Sequence, residues 1–343
     1  MCGTVPGSNS TTDNPAKPSK AAARRELLAR ALLVSCNSPV QVLSMQLAAG
    51  GNSRETWIAE VKIGGSLQRV ALRCDPDHWI RPVEMQREIN GLRLAGESGV
   101  PAPAILVSSQ TVELERPYVV TAFVEGTALA RQILREPEYE VARARFAQQC
   151  GEILGRLHAT SASTAGWEEY DPIADLEWHL GNTDFPTLVL EGAIRWLARN
   201  RLASIGSAVP VHRDFRLGNL LMQPQGVVAV LDWETCRLGD PVEDLAWLCS
   251  RSWRYGSELP VGGLGQLRDL LNSYKQVTGN VVEPERLHWW SVYAETRWGL
   301  AGMARQRAAP AGDMMEQAAI ARRACRQELN VLLELKSGEP VYD

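Results

Sequence analysis

The run Val211-His212-Arg213-Asp214-Phe215-Arg216-Leu217-Gly218-Asn219-Leu220-Leu221, followed by Val230-Leu231-Asp232-Trp233-Glu234, decides how the rest of the chain is understood. It sets an aspartate, an asparagine and a second aspartate on two short loops, each beside an apolar, strand-like run. Phosphoryl transfer asks a protein for positioning, charge neutralisation through a metal, and an acceptor for a hydroxyl proton. Asp214 suits the last task, because a loop carboxylate can orient an attacking hydroxyl and take its proton. Asn219 offers a neutral amide oxygen and Asp232 a carboxylate oxygen, a donor set suited to Mg²⁺ completed by phosphate and water. His212 is expected to prop the loop through hydrogen bonds.

Working outward, the preceding third of the chain alternates in the manner of strands over Val40–Leu47, Thr56–Ile63 and Gln68–Arg73, with breaks at Gly50-Gly51-Asn52 and Gly64-Gly65. Helices are expected over Ala21–Ser35 and Glu84–Leu94, and further strands over Ile105–Ser108 and Tyr118–Val124. After Gly126 helical patterns dominate: Pro137–His158, Asp175–His179, Thr187–Ser204, Val242–Ser252, Leu264–Thr278, Pro284–Gln306 and Met314–Lys336. The strand-like exceptions there are Leu220–Met222 and Val227–Leu231, which bracket the motif. The expected fold class is α+β with two lobes: residues 1–20 a disordered tail, 21–124 a sheet-rich nucleotide-binding lobe, and 125–343 a mainly helical catalytic and substrate-binding lobe.

The chain has 343 residues, 45% of them hydrophobic and 22% charged, with a net charge of -4, which fits a globular protein with sizeable cores. No basic arm or Lys/Arg stripe points to a nucleic-acid or anionic-membrane partner. The start shows no signal-peptide pattern, and no apolar run is long enough to span a bilayer. Seven cysteines without a C-x-x-C pair are expected to be reduced thiols, making zinc unlikely and a cytoplasmic location the expectation.

The motif stretch resembles the aminoglycoside phosphotransferase-like family, small-molecule kinases that share the protein-kinase fold. The family pattern H-x-D-x-x-x-x-N is matched by His212, Asp214 and Asn219, its metal-binding loop by Leu231-Asp232-Trp233-Glu234, and its G-D-P-x-x-D-L-A by Gly239–Ala246. The resemblance implies ATP and Mg²⁺ as cofactors and a hydroxyl-bearing small molecule as partner, with Asp214 as catalytic base and Asn219 and Asp232 as metal ligands. It places a phosphate-covering loop at Gly50, Gly51, Asn52 and Ser53, although the protein-kinase glycine pattern is missing. Arg73 stands where kinases carry the strand lysine that contacts phosphates, with Glu88 of the next helix as its partner. Residues 120–126 resemble the hinge whose backbone holds adenine, with Thr121 and Phe123 as the contacts. Leu154–His158 resembles the family's L-x-x-L-H, with His158 buried and structural, and Asp240 and Asp244 are expected to cap and support loops. Acids such as Glu168, Glu169 and Glu295, or an aromatic cage drawn from the eleven tryptophans, could favour a cationic acceptor, against the commoner readings of solvated surface acids and tryptophans packed in the core. The competing reading is a catalytically silent nucleotide-binding protein on the same fold, which would be expected to lack one of Asp214, Asn219 and Asp232.

Overall fold

Helix α1 (Lys20–Cys36) opens on Ser19, whose hydroxyl accepts from Ala22 N–H. It closes at Asn37, which takes the left-handed conformation that asparagine tolerates better than most residues. The computed structural model describes residues 19–48, 54–161, 163–164, 166–183, 187–203, 206–308 and 314–337. The expected phosphate-covering residues Gly50, Gly51, Asn52 and Ser53, and most of the expected N-terminal tail, lie outside them.

Strands β1 (Val40–Leu47), β2 (Glu55–Ile63) and β3 (Ser66–Cys74) follow, then helix α2 (Pro82–Glu97) and strands β4 (Ile105–Ser108) and β5 (Tyr118–Ala122). They form one antiparallel sheet in the order β1-β2-β3-β5-β4. The period-two alternation does what it should on β2: Trp57, Ala59 and Val61 face inward while Ile58, Glu60 and Lys62 do not. Their inner face meets Leu28 and Leu32 of α1 in a separate small core. Gly64 and Gly65, both at positive φ, make the β2–β3 turn.

Helix α2 belongs energetically to the other part of the molecule. Its apolar face, Met85, Ile89 and Leu92, joins the large core of the helical region, each such side chain contributing about 1.5–3 kcal/mol on burial. Gly91 explains how the helix comes so close: a Cβ there would stand 2.8 Å from the Trp233 Cβ and 3.0 Å from the Cys236 sulfur. The sheet lobe is thus anchored through one helix directly above the Asp232 loop.

The helical region comprises α3 (Ala130–Arg135), α4 (Glu140–His158), α5 (Pro172–Gly181), α6 (Leu188–Arg199), α7 (Val242–Cys249), α8 (Leu267–Thr278), α9 (Pro284–Ala308) and α10 (Met314–Ser337). Strand β6 (Val209–Val211) leads into the His212 loop, and the hairpin β7 (Leu220–Gln223)–β8 (Gly226–Val230) carries the chain from Asn219 to Asp232. Strand β9 (Arg237–Gly239) pairs with β6 and closes the frame. Helix α3 and strands β6 and β9 have no counterpart among the elements expected from patterning. Each is too short, at six, three and three residues, to show a period. Among the described residues no helix is long and apolar enough to cross a membrane. Six of the cysteines are free thiols, four of them buried.

Candidate active site

The loop that carries Asp214 is positioned by hydrogen bonds that converge on Asp244. This fully buried carboxylate at the start of α7 accepts from His212 N–H at 2.7 Å, from Arg213 N–H at 2.7 Å, and faces His158 Nε2 at 3.2 Å. Burial alone would lift its pKa; the His158 hydrogen bond and the His212 N–H outweigh that and hold it below the usual aspartate range. His158 is completed by the Tyr274 hydroxyl at 3.1 Å, and so it is a buried structural residue. His212 props the loop from inside: its Nε2 bonds Leu231 O at 2.9 Å, and its Nδ1 accepts from Asp214 N–H at 3.2 Å. Arg213 and Asp232 both take positive φ, 66° and 68°. Aspartate tolerates this left-handed backbone, whereas in a long side chain such as Arg213 it is costly and persists where surrounding contacts over-determine it. Arg213 is held by Glu243 at 3.1 Å and Asp175 at 2.9 Å, with its guanidinium 3.8 Å from the Tyr170 ring centre.

Asp214 shares a cavity of about 650 Å³ with Asn219, Asp232 and Arg73. The Asn219 amide donates to Asp214 O at 2.9 Å and to Asp214 Oδ2 at 2.6 Å, which leaves its oxygen without a donor among the described residues. The other Asp214 oxygen accepts from the Trp247 indole and from Arg216 Nε, both at 3.0 Å. Asp232 faces the cavity from the opposite loop, 3.1 Å from Arg73 Nη2. Burial would raise the Asp232 carboxyl, but the charge and hydrogen bond of Arg73 keep it low and ionised.

Above the loops, Arg73 Nε lies 3.0 Å from Glu88 Oε1. Burial pushes Glu88 upward, opposed by Arg73 and Arg54. Arg54 stands 2.8 Å from Glu234 and 3.4 Å from both Glu88 and Asp75. These contacts are ionic without full hydrogen bonding: Arg54 Nη1 and Nη2, Arg73 Nε and Glu88 Oε2 have no hydrogen-bond partner among the described residues. Buried, under-satisfied guanidinium groups beside a cavity fit an anionic phosphate chain. No cluster of three or more His, Cys, Asp or Glu among the described residues could hold a metal alone. The donor set of Asn219 and Asp232 fits Mg²⁺ with phosphate and water completing the shell.

The hinge residues stand apart from this cavity. Thr121 is buried in the ladder opposite Ala71 and Ile105. Phe123 donates its N–H to Arg69 O at 3.1 Å, with its ring under the Arg69 guanidinium at 3.9 Å. That N–H is therefore committed, whereas Val124 N–H, one residue on, has no partner among the described residues. The acids considered for a cationic acceptor do not line the cavity either. Glu295 is fully buried and accepts from Ser250, Ser252 and Arg251 N–H, and Glu168 pairs with Arg87. Sequence patterning offered no reason to select Arg54, Arg216 or Arg297, whose position depends on the packing of distant elements.

A sheet lobe over a helical lobe, with carboxylates on two facing loops between them, defines a protein-kinase-like phosphotransferase fold. The model of the phosphotransferase enzyme family matches residues 44–279, more than half the sequence, and the chain belongs to that family. Among solved structures it is similar to a choline/ethanolamine kinase family protein from Mesorhizobium loti, with TM-score 0.60 and 20% identity over 92% of this chain and 94% of that one. It also resembles aminoglycoside phosphotransferase APH(4)-Ia, with a ternary complex of a thermostable mutant holding AMP-PNP and hygromycin B giving TM-score 0.62 and 15% identity over 91% of this chain and 98% of that one. By sequence it is 28% identical to mouse (Mus musculus) acyl-CoA dehydrogenase family member 10 over 196 residues, 53% of this chain and 18% of that protein. The chain spans between 18% and 30% of the length of the first such relatives. Family membership supports small-molecule phosphotransfer.

Proposed function

We propose that the protein is an ATP- and Mg²⁺-dependent kinase that moves the γ-phosphate to a hydroxyl of a small molecule, with Asp214 as base. The observation that carries this reading is the meeting of Asp214, Asn219 and Asp232 around one cavity beneath Arg73. The family match and the AMP-PNP bound to the structural neighbour support it. When bound, Mg²⁺ would neutralise charge on the transferring phosphate.

The chain's own residues do the rest. Asp214 orients the acceptor hydroxyl and takes its proton on the carboxylate, its position fixed by Asn219 and Trp247. Arg73, held by Glu88, supplies a positive charge for phosphate oxygens. Asn219 and Asp232 would hold the metal, and the phosphates would lie beneath Arg73. Adenine would be met by the backbone after β5, where the free N–H favours Val124 over Phe123 as the contact.

Calorimetry with ATP in the presence and absence of Mg²⁺ tests the nucleotide half. Magnesium-dependent binding that Asp232→Ala weakens severely is expected. No binding, or binding indifferent to both Mg²⁺ and Asp232, would overturn the assignment. An ADP-release screen against hydroxylated metabolites tests the acceptor half.

A further inference from the structure

We propose that the phosphate acceptor is an anion, docked through its acidic group on Arg297. The inference rests on the kinase reading above. If the nucleotide occupies the space under the sheet, the side left for an acceptor is the helical wall next to Asp214. That wall is formed by His179 of α5, Trp247 of α7, and Arg297, Trp298 and Ala301 of α9.

Cations outnumber carboxylates on this wall. Among the described residues, Asp214 is the sole carboxylate lining the helical side and Arg216 is paired with it at 3.0 Å, which leaves Arg297 as the cation of this wall without a carboxylate at hydrogen-bond distance. Asp232 and Glu234 also line the cavity, but each is already ion-paired with an arginine of the sheet side. The carboxylates behind the wall are committed inward. Asp175 accepts from the Tyr293 hydroxyl and Arg213, both at 2.9 Å, and the buried Glu295 is held by serines. The positive surroundings also register on His179: burial first, then the charges of Arg297 and Arg213, hold its imidazole below the usual value despite Asp175.

The aromatic surface points the same way. Trp247, Trp253 and Trp298 form a cluster with ring centres 4.7–6.3 Å apart, the kind of surface that can cage a cation. Two of its three rings are covered by the protein's own cations. The Arg297 guanidinium lies 4.8 Å from the Trp247 ring centre, and that of Arg216 lies 4.7 Å from Trp253. A polycationic acceptor would meet like charge where it needs an open ring.

Arg297 is also pre-set to receive an acid. Nη1 donates to Arg213 O at 2.8 Å and Nε stands a loose 3.8 Å from Asp175, while Nη2 has no partner among the described residues. A guanidinium fixed by one anchor and one ring presents its remaining edge to a carboxylate or phosphate, the planar pairing arginine makes best.

The test is a matched panel in an ADP-release assay with MgATP. It would contain short hydroxycarboxylates and phosphorylated alcohols, the amides and unphosphorylated alcohols that match them, and amino alcohols and aminoglycosides. Acidic members should be turned over with kcat/KM at least about tenfold above their neutral matches. Whether carboxylates or phosphates lead identifies the acid. In Arg297→Gln the KM for acidic acceptors should rise about ten- to a hundredfold with a smaller change in kcat, and Arg297→Lys should recover part of it. If Arg297→Gln no longer binds MgATP, salt dependence in the wild type decides, since KM for acidic acceptors should climb with ionic strength. The inference is overturned by preference for neutral or cationic members, by turnover of no acidic member, by an unchanged KM in a folded Arg297→Gln protein, or by a flat salt profile. Failure of the wild-type protein to bind MgATP would instead break the kinase reading itself.

Discussion

The floor and the roof of the cleft are both built from buried charge, yet they are built differently. On the floor every oxygen of Asp244 is engaged by an N–H or an imidazole, and the loop it holds carries Asp214. On the roof Arg54, Arg73, Glu88 and Glu234 stand in ionic contact while four of their polar atoms lack hydrogen bonds among the described residues. A saturated network has one arrangement, whereas an under-satisfied one can change partners when an anion arrives. On the proposed reading, the contrast gives Asp214 a fixed geometry and leaves exchangeable charge beside the nucleotide phosphates.

Substitutions can break that contrast. Asp244→Ala should be the most damaging, about 3–5 kcal/mol by denaturant unfolding, because it strands His158 and two N–H groups in the core. Glu88→Gln should cost about 1–3 kcal/mol, since Arg73 retains Asp232 and Arg54 retains Glu234. Glu234→Gln, at a partly exposed site, should cost about 1 kcal/mol or less. A Glu234→Gln protein less stable than Asp244→Ala would reverse the comparison.

Acid should find the floor too. Asp244 is held below its unfolded value of about 3.9, so it adds stability above that pH and loses it as pH falls through the folded value. Unfolding followed below about pH 4 should therefore be less steep in Asp244→Asn than in the wild type. Equal acid limbs would show that the carboxylate is not carrying the loop.

Much of this was legible in the sequence, and the limits have physical causes. The order of strands and helices followed from periods of two and of 3.6 in runs long enough to show them. The loop pair Asp214–Asn219 and Asp232 was legible because its spacing is local, and the Arg73–Glu88 contact because a strand and the next helix carry it. The short strands β6 and β9 were not, since pairing rather than patterning makes them strands. Phe123 illustrates another limit: residue type says nothing about which N–H a neighbouring strand has already taken. The acceptor wall was the least legible part. Arg297 and Trp247 are fifty residues apart and meet only through the packing of α9 on α7, and Glu295, beside Arg297 in the sequence, turns inward to serines instead. Residue type alone therefore did not show which way the Glu295 carboxylate faces.

On the proposed reading, Asp214 drives transfer from a nucleotide whose binding it does not control. The most direct test compares wild-type and Asp214→Ala proteins for formation of a phosphomonoester from MgATP and an accepted hydroxyl compound, alongside calorimetric titration of MgATP. A fall in kcat of about 10²- to 10⁴-fold is expected, with nucleotide affinity essentially retained. Turnover at the wild-type rate in Asp214→Ala would contradict it.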